Sequence, residues 1–104
     1  MGNIFDKQIT QLCVIGNLQE IQRIIENNPK IDISDDNDKA FRLACSCGQL
    51  HVSKWLLQIK PDINISTNDE EAFRCACEYG HLKVAKWLLQ IKPDIDISTN
   101  NDYA

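Results

Sequence analysis

Residues Phe41 to Ser66 read FRLACSCGQLHVSKWLLQIKPDINIS, and 32 positions later Phe73 to Ser98 read FRCACEYGHLKVAKWLLQIKPDIDIS. A period of this size is the signature of a stacked array, in which each unit buries its apolar face against its neighbours rather than around a core of its own. A weaker copy precedes these two. At the same spacing, Phe41, Ala44, Cys45, Gly48, Leu56, Leu57, Pro61 and Ile63 have counterparts in Ile9, Leu12, Cys13, Gly16, Ile24, Ile25, Pro29 and Ile31. The chain is therefore read as a single domain, 1–104, with repeat one at 3–34, repeat two at 35–66 and repeat three at 67–98. The start of an incomplete fourth repeat follows at 99–104.

Apolar spacing inside each unit describes two short helices. Phe41, Ala44 and Cys45 fall at i, i+3 and i+4, on one helical face. Gly48 ends that helix, because glycine takes the left-handed conformation at a helix terminus without a Cβ penalty. A second helix runs through Leu50, Ser53, Leu56 and Leu57, and Pro61 marks where it cannot continue. The polar links carry Asp, Asn, Ser and Thr, which favour turns and cap the following helix, and Asn68 with Glu71 fits a capping box. Ile63 and Ile65 alternate with polar neighbours, which suggests a short extended segment. The expected fold is all-α, a solenoid of stacked helix-turn-helix repeats with short connecting links.

The run from Ala76 to Asp96, AC-x-x-GHL-x-VAKWLL-x-x-x-PDID, resembles the ankyrin repeat. Gly80, His81, Leu82, Val84, Ala85, Leu88, Leu89, Asp94 and Ile95 fall on that family's positions, and repeat two matches in the same register. The resemblance implies an ankyrin-like solenoid with a protein-binding role. The phrasing Phe-Arg-x-Ala-Cys and Trp-Leu-Leu-x-Ile-Lys-Pro-Asp-Ile is most similar to ankyrin arrays encoded by giant viruses of amoebae. Three departures stand out. Lys39-Ala40-Phe41-Arg42 and Glu71-Ala72-Phe73-Arg74 replace the family's Thr-Pro-Leu-His, each unit is one residue short, and the link lacks the usual turn glycine.

Composition narrows the partners. A net charge of −4 and a pI near 5.0 disfavour nucleic acid and anionic membrane, which need a concentrated positive face. No apolar run approaches the roughly 20 residues that span a bilayer, and the first residues, MGNIFDK, have no apolar core of a secretory signal. An intracellular, cytoplasmic location is expected, in the host cell if the chain is viral. Gly2 invites a lipidation reading, but Asp6 stands where that motif wants Ser or Thr. Asn64-Ile65-Ser66 is a glycosylation-like triplet that matters only in the secretory pathway.

Chemistry finds little support. Cys13, Cys45 and Cys77 share one repeat position, and equivalent atoms of stacked helices lie roughly 10 Å apart, beyond disulfide reach. Cys45 and Cys47, like Cys75 and Cys77, point to different sides of a helix and chelate poorly. These read as structural thiols. His51 and His81 could serve a cysteine nucleophile, yet neither has a defined one opposite it. The chain reads as a non-enzyme with no metal and no cofactor.

Binding candidates follow from the links. Asp36, Asp38, Asp69 and Glu70 would align into an acidic edge beside the first-helix residues Arg42, Ser46, Arg74 and Glu78, forming a concave surface for a basic or mixed-charge protein segment. The alternative is a solvated rim that only caps helices. Trp55 and Trp87, with Arg23 at the same position of repeat one, are expected to form a packed ladder. Repeat one carries Lys7, Gln8, Gln11, Gln19 and Gln22, as a solvent-facing first unit should. Repeat three is as apolar as an interior one, which would leave Val84, Leu88, Ile91 and Ile95 partly bare. A homodimer through that repeat, or membership of a longer array, is the second functional reading. Asn64 also sits in a context similar to sites hydroxylated in some ankyrin repeats.

Overall fold

The computed structural model describes the backbone of residues 6–33, 35–65 and 67–95, and within these the side chains of all but residues 6, 35–37 and 67–69. The incomplete fourth repeat expected at 99–104 lies outside the described residues. Six helices follow one another: α1 (Asp6–Ile15), α2 (Leu18–Asn27), α3 (Asp35–Ser46), α4 (Leu50–Ile59), α5 (Thr67–Glu78) and α6 (Leu82–Ile91). No strand occurs among the described residues. The fold is the expected all-α repeat solenoid. Around Ile63 the chain makes a tight turn, Ile63 N–H to Lys60 C=O at 3.2 Å, in place of the suggested extended segment.

Glycine ends each first helix. Gly16, Gly48 and Gly80 have φ of 89°, 76° and 79°, and the amide that follows each one reaches back to a helix carbonyl, as Gln49 N–H does to Ala44 C=O at 2.8 Å. Each second helix stops two residues before a proline. Lys60 closes α4 through its N–H to Leu56 C=O, and Lys92 closes α6 through Leu88 C=O.

The helices form two layers. α1, α3 and α5 pack side by side, and each carries its own second helix, α2, α4 or α6, behind it. Phe41, Ile21, Leu56, Leu88, Val52 and Val84 are fully enclosed between the layers. At about 25 cal/mol per Å² of apolar surface removed from water, each such side chain contributes about 1.5–3 kcal/mol, which makes this seam the main source of stability. Ile63 and Ile95, beyond the ends of α4 and α6, are also buried in this core.

The apolar residues of repeat three correct one expectation. Val84, Leu88 and Ile95 are buried, and only Ile91 of the four is exposed. Val84 and Leu88 are one turn apart on α6, which packs on α5, and Ile95 lies beyond that helix. The aromatic ladder is also different. Trp87 meets Phe41 of the preceding repeat, ring centroids 6.1 Å apart and tilted by 52°, and the Arg23 guanidinium is held by Glu20 one turn earlier on its own helix.

Polar contacts between repeats run along the glycine column. Gln49 Nε2 donates to Val14 C=O at 2.9 Å, and His51 Nε2 lies 2.8 Å from Gly16 C=O. A side chain on Gly16 would collide with Gln49, and one on Gly48 would collide with the His81 ring, at 2.4 and 2.5 Å. Each glycine thus serves twice. It takes the left-handed backbone that ends a helix, and it leaves room for a residue of the next repeat.

Candidate functional site

The outer faces of α3 and α5 enclose a shallow surface groove of about 730 Å³, lined by Leu43, Ser46, Cys47, Glu71, Cys75, Tyr79 and His81. Its geometry follows from helical spacing. Cys47 and Tyr79 are the first residues past α3 and α5, and their N–H groups reach back four residues to Leu43 C=O and Cys75 C=O, both at 3.0 Å, so each pair stays on one side of its helix end. The floor is apolar and soft, while Glu71 supplies negative charge and Tyr79, 62% exposed, stands at the edge.

Of the site residues expected from sequence, Ser46 lines the groove and donates its hydroxyl to Arg42 C=O at 2.8 Å. Arg42 lies between the repeats, its guanidinium 2.5 Å from Glu71 Oε2 and only 14% exposed. Arg74 is half-buried and Glu78 is exposed on α5. This Arg42–Glu71 pair also corrects the capping-box expectation. Asn68 falls inside α5, and the Glu71 carboxylate reaches across to repeat two. The side chains of Asn68, Asp36 and Asp69 lie outside the described residues.

Asp38 and Glu70 do not form an exposed acidic edge. Both are buried, and both take a left-handed backbone, with φ of 60° and 64°. This conformation is uncommon for a residue with a Cβ, and here it falls at the fourth residue of α3 and of α5. It turns the carboxylates inward. Asp38 Oδ2 accepts the Asn64 N–H at 3.4 Å, and Lys92 Nζ approaches Glu70 Oε2 at 3.5 Å. Asp38 Oδ1 has no hydrogen-bond partner among the described residues. Burial therefore raises the Asp38 carboxyl above its ordinary range, opposed by the Asn64 amide and by Lys60. Asn64 itself is exposed on the link.

The thiols divide by environment. Burial pushes Cys13 and Cys45 up to about 12, so both stay protonated and are poor nucleophiles or ligands. Cys45 donates to Ser53 Oγ at 3.4 Å, and Ser53 in turn donates to Gln49 C=O at 3.1 Å. These are packing roles. Cys47 and Cys75 are half-exposed in the groove. No group of three or more His, Cys, Asp or Glu that could hold a metal occurs among the described residues, and no described helix is long and apolar enough to cross a membrane.

The sequence reading missed Leu43, Cys47, Glu71, Cys75, Tyr79 and His81 as groove residues. The signal was present in the i, i+4 pairs at the ends of α3 and α5, but only stacking shows that the two faces adjoin. The family model for ankyrin repeats, in three copies, matches residues 10–101. No curated protein and no solved structure gives a match. The match spans nearly the whole chain and agrees with the glycine-ended helix pairs and the two-layer stack, and the protein belongs to the ankyrin repeat family.

Proposed function

We propose that this chain is a non-catalytic binding module that holds a segment of a protein partner in the groove between α3 and α5. Ankyrin repeats generally mediate protein–protein interaction and are typically non-catalytic. The observation that carries the reading here is the groove itself, an apolar floor spanning two repeats with Tyr79 at its edge. A partner that places an apolar side chain over Leu43, Cys47 and Cys75 gains burial there, and a basic group beside Glu71 sets its orientation. The stack is ordered in advance, so docking costs little conformational entropy. The buried Asp38 and Glu70 take no direct part. An intracellular setting accompanies this reading, because unpaired thiols persist in reducing compartments.

Selection of a displayed random-peptide library on the folded chain tests it. The expected ligands combine an apolar anchor with Lys or Arg, and Tyr79→Ala weakens them by about tenfold, the scale of an interface aromatic. Ligands that bind the Tyr79→Ala chain equally well would place recognition elsewhere and refute the proposal.

A further inference from the structure

A thiol and an imidazole that are far apart in the sequence share one wall of the α3–α5 groove. The His81 N–H is tied to Ala76 C=O at 2.7 Å, so its backbone belongs to repeat three. Its ring reaches the other way and covers Gly48, where a Cβ would lie 2.5 Å from Nδ1 and 2.8 Å from two ring carbons. Gly48 is the residue after Cys47, and Cys47 and His81 both line the groove. His81 stands at the N-cap of α6, yet its side chain makes no cap hydrogen bond. A half-exposed thiol and an imidazole are thus held on adjoining parts of an apolar groove of about 730 Å³.

The same construction at the preceding boundary lacks this chemistry. There Gln49 covers Gly16, and the residue before that glycine is Ile15. The other histidine, His51, lies 2.8 Å from Gly16 C=O, beside Ile15 rather than a thiol. Cys75 lines the groove from α5, whereas the His81 ring is seated on Gly48 in the other repeat. Cys77 is half-exposed, and burial raises its thiol above the ordinary value.

We propose that Cys47 is a covalent modification site for an apolar α,β-unsaturated aldehyde, with His81 as the base that activates the thiol. The reaction balances without a co-reactant. As the sulfur bonds to the β-carbon, the thiol proton passes to the His81 imidazole and the C=C electron pair moves to the α-carbon as an enolate. The α-carbon then takes that proton from the imidazolium. The product is a thioether that keeps every atom of the aldehyde, and the change is stoichiometric. The apolar class follows from the groove, because Leu43, Cys75 and the Tyr79 ring offer an alkyl tail a surface out of water. The reading needs the groove but no protein partner, so it stands or falls separately from the binding function.

Treatment of the full chain with limiting trans-2-nonenal provides the test, the thioether at each cysteine being followed by peptide mapping and mass spectrometry. Cys47 is expected to react at least about tenfold faster than Cys75 or Cys77, short of the hundredfold or more of a fully enclosed base because the thiol is partly solvated. His81→Gln keeps a cover over the glycine, as Gln49 does over Gly16. It should remove most of the advantage while changing Cys75 by less than about threefold. In His81→Ala, added imidazole should restore the reactivity of Cys47 and leave Cys75 as it was, which a purely structural role of the ring would not produce. Propenal, the same electrophile without a tail, separates groove from base. The nonenal-to-propenal rate ratio at Cys47 should exceed that of free glutathione by at least about tenfold, from burial of the tail. An advantage of Cys47 below about threefold, one that His81→Gln retains, a His81→Ala chain that imidazole does not rescue, or a tail effect no greater than glutathione's would each overturn the proposal.

Discussion

Gly48→Ala and Gly80→Ala form a matched pair that isolates the contact between repeats. Their backbones are nearly the same, φ 76° and 79°, so each substitution carries the same cost of placing an L-residue in the left-handed region, about 1–2 kcal/mol. Their surroundings differ. A Cβ on Gly48 would lie 2.5 Å from His81 Nδ1 and 2.8 Å from two ring carbons, whereas one on Gly80 meets nothing within 4 Å among the described residues. The His81 ring must leave, exposing roughly 50–80 Å² of contact that is worth about 1–2 kcal/mol. Gly48→Ala should therefore cost roughly 2–4 kcal/mol and Gly80→Ala about half of that. Gly16→Ala should fall between them, since the colliding atoms there belong to the flexible end of Gln49. Equilibrium urea unfolding, with the slope checked for constancy, measures all three. Equal costs for Gly48→Ala and Gly80→Ala, within about 0.5 kcal/mol, would show that the packing over Gly48 contributes nothing.

Three further outcomes follow from the same contacts. Asp38→Asn should raise the urea midpoint at pH 7. The folded carboxyl titrates above its ordinary 3.8, so the folded state holds the proton more tightly and loses stability as pH rises through that window. Asn has no charge to desolvate and tolerates the left-handed backbone, so its advantage should fade as the pH falls below the ordinary value; a lower midpoint at pH 7 would contradict this. Leu88→Ala should cost about 2–5 kcal/mol as a buried core deletion, and Ile91→Ala less than about 1 kcal/mol, which calorimetry separates. A double-mutant cycle on Arg42 and Glu71 should return a coupling of about 1 kcal/mol, modest because the carboxylate is partly solvated; no coupling would mean that the pair only decorates the boundary.

Much of the fold was legible because a repeat displays the same constraint several times. The glycine at each first-helix end, the proline after each second helix and the apolar stripe through Leu56 and Leu88 all carry their structural reason in one residue type. Contacts across repeats were harder to read. The apolar end of repeat three looked bare because its sequence was compared with interior units, but Val84 and Leu88 are buried, and the residues of that helix left exposed are Leu82, Leu89 and Ile91. Asp38 and Glu70 looked like an acidic edge because charged link residues usually face water. Both instead fall at the fourth residue of a first helix, with a left-handed backbone, and both are buried. The groove needed two helices side by side before its lining could be named.

The groove's own cysteines allow the most direct test of the binding reading. Cys47 and Cys75 are half-exposed in it, while Cys13 and Cys45 are buried and serve as internal controls. With a selected ligand bound at saturation, native-state alkylation of Cys47 and Cys75 should slow by at least about tenfold, in proportion to the time the groove is covered, with Cys13 and Cys45 unreactive throughout. Unchanged alkylation of Cys47 and Cys75 in a saturated complex would show that the partner sits elsewhere and would contradict the assignment of the α3–α5 groove.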